Sequence, residues 1–161
     1  MAQGRLKIFF GYAAGAGKTY AMLEAALDAK TAGIDVVAGY VETHQKPQTQ
    51  EMLRRIEKVP CMQAGAAQEL DADAVIARKP QLVLVDDLAH VNGAGCRHLK
   101  RYQDVEELLK AGIDVYTTVN LENIESLNDI VASVTGMAAE ERIPDSVFDL
   151  ADQVELIDIE P

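Results

Sequence analysis

Residues 9–23 read FFGYAAGAGKTYAML, and the fold turns on how this stretch is understood. Two aromatic residues close a short apolar run at 8–10. From Ala13 to Gly17 no side chain is larger than a methyl group, and Lys18-Thr19 then opens a run rich in Ala and Leu. The pattern is that of a strand, a turn with bare backbone, and a helix. Glycines at 15 and 17 let the chain fold back and approach a ligand closely. A helix starting near Lys18 aims its unsatisfied N–H groups and its positive dipole end into that turn, where an anion is favoured.

Working outward, apolar runs of strand and helix character alternate along the chain. Strands are expected at 5–10, at 34–42 (IDVVAGYVE), at 81–87 (QLVLVDD), at 113–120 (IDVYTTVN) and at 153–159 (QVELIDI). Helices are expected from Lys18 to a stop at Gly33, over 49–59, over 71–79 with Pro80 closing it, over 102–112 and over 123–136. Ala-Gly-Ile-Asp-Val occurs at 32–36 and again at 111–115, each time between a helix and a strand. It is read as one αβ loop used twice. Strands separated by helices pair in parallel, so the expected fold is a three-layer α/β domain over residues 1–161 with a mainly parallel sheet of about five strands. Ligands of such sheets sit beyond the carboxyl ends of the strands. That places Gly11–Thr19, Glu42–His44, Asp86–His90 and Thr117–Asn120 on one rim.

The phosphate-loop pattern G-x-x-x-x-G-K-[ST] fits at Gly17-Lys18-Thr19, except that Tyr12 stands where the first glycine belongs and Gly11 precedes it. In this reading the loop and helix start, Gly11, Ala14, Gly15, Ala16, Gly17, Lys18, Thr19 and Tyr20, bind a nucleotide. Lys18 reaches the terminal phosphates and the Thr19 hydroxyl ligates Mg²⁺. The second half of the site is LVLVDD, an apolar strand ending in acids. Asp86 would hold Mg²⁺, directly or through a water, and Asp87 is placed to orient or deprotonate an attacking water, as the candidate catalytic residue. The motifs thus imply a nucleotide's phosphates held with Mg²⁺. Strand order is left open, but an acid directly after Asp86 leans toward P-loop folds with one strand between the loop strand and the acid-bearing strand.

A net charge of −11 argues against nucleic acid or an anionic membrane as partner. Cys61 and Cys96 make no disulfide framework, and the apolar run at 8–10 is too short for a signal peptide. A cytoplasmic setting without membrane insertion is expected. Cys61, His90, Cys96 and His98 fall in no zinc spacing.

Specificity rises at DDLAH (86–90) followed by RHLKRYQDVEELLKAGIDVYTTVN (97–120). With GRLKIFFGYAAGAGKTYAMLEAA, VVAGYVETH, SLNDIV and IPDSVFDLADQVELIDI, the chain resembles, over about residues 4–160, the amino-terminal cytoplasmic domain of the Kdp-type osmosensitive potassium sensor histidine kinases. The resemblance implies an ATP-binding domain that modulates the kinase/phosphatase balance of a membrane sensor for potassium uptake, with other domains of that sensor as partners. It also implies that the offset of Gly11 is a family trait. Asp86-Asp87 stands where the family has Asp-Glu, which sets a base at 87 back by one methylene and favours binding over rapid hydrolysis. Ala94-Gly95-Cys96 replaces a Pro-Gly-Ser, and Leu99 replaces a Pro. The family's universal-stress-protein-like domain, membrane helices, phosphoacceptor-histidine helix and kinase ATP lid have no counterpart in these residues, so autophosphorylation is not expected of them. A slow NTPase or small-molecule kinase, and a docking module with a vestigial loop, are the competing readings.

Sensor or regulatory roles are open to Glu42, His44, His90, Arg97, Arg101 and Asn120. Glu42, Thr43 and His44 end the second strand; Thr118 and Asn120 end the fourth. His90 either senses the site or stiffens the turn after the acids. Arg97, His98, Lys100 and Arg101 are the densest positive cluster. They offer an arginine-finger-like contact, in cis or within a homodimer, or a docking face, or only a solvated helix entry.

Overall fold

The computed structural model describes residues 3–11, 16–43, 45–64, 67–93, 96, 98–120 and 151–157. Its main sheet is six-stranded and parallel throughout: β1 Leu6–Gly11, β2 Val36–Tyr40, β3 Glu57–Lys58, β6 Leu82–Val85, β7 Asp114–Asn120 and β8 Gln153–Leu156, in the order β3-β2-β6-β7-β1-β8. The expected strand between the loop strand and the acid-bearing strand is β7, which pairs with both β1 and β6. Helices α1 Ala16–Thr31 and α2 Pro47–Arg54 lie on one face, and α3 Ala72–Arg78 and α4 Arg101–Lys110 on the other.

Alternation along the strands fills both layers. Leu82 and Leu84 of β6 join Phe9, Met22, Leu23 and Ala26 on the α1 side. Val83 and Val85 join Ile8, Val75, Val105 and Leu108 on the α3/α4 side. A strand covered on both faces carries no polar residue, which is why β6 reads as a continuous apolar run. Each buried Val, Leu, Ile, Phe or Met side chain among these contributes on the order of 1.5–3 kcal/mol.

The repeated Ala-Gly-Ile-Asp-Val is one loop in two places. Gly33 has φ 95° and Gly112 φ 86°. The Ile34 N–H reaches the Ala29 carbonyl at 3.0 Å, and the Ile113 N–H reaches that of Leu108 at 3.1 Å. Both are Schellman closures, which need a residue at positive φ and so select glycine.

The structure departs from expectation at the second helix and in the number of strands. The second helix does not run through 49–59: it spans Pro47–Arg54, and Glu57–Lys58 pairs with β2 as an edge strand instead. That sixth strand is two exposed charged residues, a blunt edge with no apolar alternation to reveal it. A short antiparallel hairpin, β4 Met62–Ala64 and β5 Ala67–Glu69, was not anticipated at all. The first helix starts near Lys18 as expected, at Ala16, and ends at Thr31, just ahead of Gly33. The helix expected at 123–136 lies outside the described residues. None of the described helices is long and apolar enough to cross a membrane.

Candidate functional site

Because every strand of the main sheet runs the same way, the ends of β1, β2, β6 and β7 share one rim. Gly11 ends β1 beside Asn120, the last residue of β7. Lys18 and Thr19 occupy the first turn of α1, and both are buried, at 4% and 1% exposure. A Cβ on Gly11 would lie 3.7–3.8 Å from the Lys18 stem and 2.9 Å from the Ile157 carbonyl oxygen. The bare backbone at 11 therefore makes room for the Ile157 carbonyl, while the Lys18 stem lies within ordinary contact distance of the strand end.

Asp86 follows β6 and is 3% exposed. Its Oδ2 accepts from the Thr19 hydroxyl at 2.8 Å and from the Glu42 N–H at 3.1 Å. Its Oδ1 accepts from the Thr118 hydroxyl. Thr118 in turn accepts from the Asp87 N–H at 2.9 Å, using both capacities of a hydroxyl. Three elements thus converge on one carboxylate: α1, the end of β2 and the end of β7. Asp87 has φ 60°, a left-handed conformation that costs a non-glycine residue on the order of 1–2 kcal/mol. The chain turns sharply off the strand there, and strain of this kind gathers at functional sites.

Behind the rim lies a buried ionic network. Arg101, fully buried at the start of α4, donates from Nη1 to the Asp86 carbonyl and from Nη2 to Glu69 Oε1, both at 2.9 Å. Its guanidinium carbon sits 4.0 Å from the centroid of the Tyr40 ring. Glu69, at the end of the hairpin and 2% exposed, also receives the Gly93 N–H at 2.7 Å and faces His90 Nε2 at 2.9 Å. Burial pushes the Glu69 carboxyl up. The His90 and Gly93 hydrogen bonds and the charges of His90 and Arg101 outweigh that, and hold it below the usual glutamate value. Desolvation raises the Tyr40 phenol and the Cys61 thiol, so Cys61 has the character of an inert thiol. A cavity of about 420 Å³ opens beside this network, lined by Tyr40, Glu42, Cys61, Gln68 and His90 among others.

The structure brings Gly11, Gly17, Lys18, Thr19, Tyr20, Glu42, Asp86, Asp87 and Asn120 to the rim. Ala14, Gly15, His44 and Arg97 lie outside the described residues, as does the side chain of Ala16. Arg101 is a correction. An arginine finger needs an exposed guanidinium, and this one is sealed between Glu69, Tyr40 and the Asp86 backbone. His90 Nε2 lies 3.0 Å from Glu69 Oε2, a contact that ties the turn after the acids to the hairpin. Glu69 itself escaped the sequence reading: its hairpin is too short to show a period, and an acid in QELD carries no sign of burial.

A family model described as the KdpD osmosensitive K⁺ channel His kinase sensor domain matches residues 2–161. The chain is 53% identical to the sensor protein KdpD of Clostridium acetobutylicum and 50% identical to that of Escherichia coli, with 99% of the chain covered in each case. It is 47% identical, at the same coverage, to a putative sensor protein KdpD of Synechocystis. It spans 18% of the length of the first two and 44% of the third.

Proposed function

The chain belongs to the KdpD family of osmosensitive K⁺ channel histidine-kinase sensor domains, and on that footing we propose that it is a regulatory domain that binds Mg-ATP and biases the kinase/phosphatase balance of a potassium sensor. The observation that carries the proposal is the Thr19–Asp86 pair. A helix-start hydroxyl and a strand-end carboxylate, 67 residues apart in sequence, meet at 2.8 Å in a buried setting. Two oxygen ligands of an octahedral Mg²⁺, each about 2.1 Å from the ion, stand roughly 3 Å apart. The pair therefore fits that ion, and hard oxygen donors are what Mg²⁺ takes.

Lys18 neutralises phosphate charge at the same point, and the first turn of α1 contributes its free N–H groups. Bound Mg²⁺ would screen the charge of the phosphate tail. Thr118 and the Glu42 N–H keep the Asp86 carboxylate oriented toward α1. Beside Gly17 and Tyr20 a shallow cleft of about 270 Å³ runs to Lys46 and Pro47 at the start of α2, space suited to the sugar and base. The partners in this reading are other domains of a membrane sensor kinase, since the relatives are longer proteins.

Binding of a fluorescent ATP analogue with and without Mg²⁺ tests the proposal. Magnesium should tighten binding at least tenfold in the wild type, and Asp86→Asn should erase most of that difference. Equal affinity with and without the ion in the wild type would refute it.

A further inference from the structure

We propose that His98, Asp104 and Glu107 form a second metal site, built for a divalent transition-metal ion of the zinc class and separate from the magnesium site. His98 comes from the loop that precedes α4. Asp104 and Glu107 come from the first and second turns of that helix, three residues apart and so on one face. One ligand atom from each can be chosen so that all three lie within 4.8 Å of one another. His98 Nε2 is 3.3 Å from Glu107 Oε1 and 4.0 Å from Asp104 Oδ1. Nitrogen and oxygen ligands about 2.1 Å from a tetrahedral ion stand roughly 3.4 Å apart. The His98–Glu107 pair already stands at that spacing, and side-chain torsions at Asp104 and Glu107 would draw the rest of the cluster, now within 4.8 Å, about 1 Å closer.

The supporting residue is Asn92. It is buried, at 7% exposure, and its Nδ2 donates to Asp104 Oδ2 at 2.8 Å and to the His98 carbonyl at 2.9 Å. One amide thus fixes the backbone of one ligand and the carboxylate of another. It holds Asp104 by Oδ2 and leaves Oδ1 turned toward His98. Outer-shell hydrogen bonds of this kind orient metal ligands in general. The Oδ1 of the same amide is buried with no hydrogen-bond partner.

One imidazole with two carboxylates is a borderline donor set that suits zinc better than the hard oxygens of Thr19 and Asp86 do. A cavity of about 390 Å³, lined by His98, Gln103, Glu106, Glu107 and Lys110, supplies the entry path and room for a fourth ligand. An ion there pins His98 to α4, whose first residue is the arginine that holds the Asp86 carbonyl.

The test is calorimetry of the 161-residue chain with Zn²⁺ alone after chelator treatment, together with thermal melting. One ion per chain should bind and raise the melting temperature. His98→Ala and Glu107→Gln, both at partly exposed positions, should each weaken binding at least tenfold while the chain stays folded; Asp104→Asn should do the same. A Cys61→Ser/Cys96→Ser variant and Asp86→Asn should bind as the wild type does. No uptake by the folded wild type overturns the proposal. So does uptake that survives both His98→Ala and Glu107→Gln, or that disappears with the cysteines or with Asp86.

Discussion

Replacing Arg101 with Met tests whether the positive cluster before α4 is surface or core. The substitution keeps an unbranched stem against Tyr40 and removes the guanidinium. Two charge-assisted hydrogen bonds are lost, one to the Asp86 carbonyl and one to Glu69 Oε1. The Glu69 carboxylate is left buried with His90 and the Gly93 N–H. Removing one partner of a buried ion pair costs about 3–5 kcal/mol. A chain of this size loses about 2–4 °C of melting temperature per kcal/mol, so a fall of roughly 6–20 °C is expected. Urea unfolding followed by circular dichroism supplies the free energies for Arg101→Met, Glu69→Gln and the double variant. The two sites should be coupled by about 1–3 kcal/mol, the double variant being less damaged than the sum of its parts. An ordinary exposed arginine would give less than about 0.5 kcal/mol. A loss that small, or strict additivity in the cycle, refutes the buried clamp.

Thr118→Val removes a donor to Asp86 and the acceptor of the Asp87 N–H; it should cost about 1–3 kcal/mol in urea unfolding and weaken the magnesium dependence of nucleotide binding. Gly11→Ala puts a methyl group 2.9 Å from the Ile157 carbonyl oxygen and against the Lys18 stem, so nucleotide affinity should fall together with a stability loss of about 1–3 kcal/mol; an unchanged binding isotherm would show that the bare backbone at 11 is dispensable. The Glu69 carboxyl, net lowered from an ordinary value of 4.5, contributes stability that is complete above that value and is lost as pH falls through the folded one. Acid titration of the wild type should therefore show a steeper loss below about pH 4.5 than Glu69→Gln does, and parallel curves would contradict the assignment.

What could be read from the amino acids follows from how local the physical cause is. The β1–loop–α1 unit, the acid-ended strand β6 and the two Gly33/Gly112 closures each depend on neighbours in sequence, and each was legible. The order β6-β7-β1 was only leaned toward, from the acid at 87. Edge strand β3 and the β4–β5 hairpin were not legible, because two or three residues cannot display a period of two. Hidden hairpin and hidden network go together: Glu69 sits at the end of β5, and its partner Arg101 lies 32 residues away. Nothing in the string RHLKR marks Arg101 as a sealed cation. The His98–Asp104–Glu107 grouping was likewise invisible, since carboxylates at these spacings look like any solvated helix face.

The central claim is that a lysine and a hydroxyl at the start of α1, with the Asp86 carboxylate, hold a triphosphate against the overall negative charge of the chain. Isothermal calorimetry with ATP and excess Mg²⁺ on the wild type and on Lys18→Ala measures this directly. Saturable one-to-one binding in the wild type, weakened about 10- to 150-fold by loss of a charge-assisted contact worth roughly 1.5–3 kcal/mol, is the expected result. No heat of binding in the folded wild type at millimolar ATP, or equal affinity in the two proteins, would contradict it.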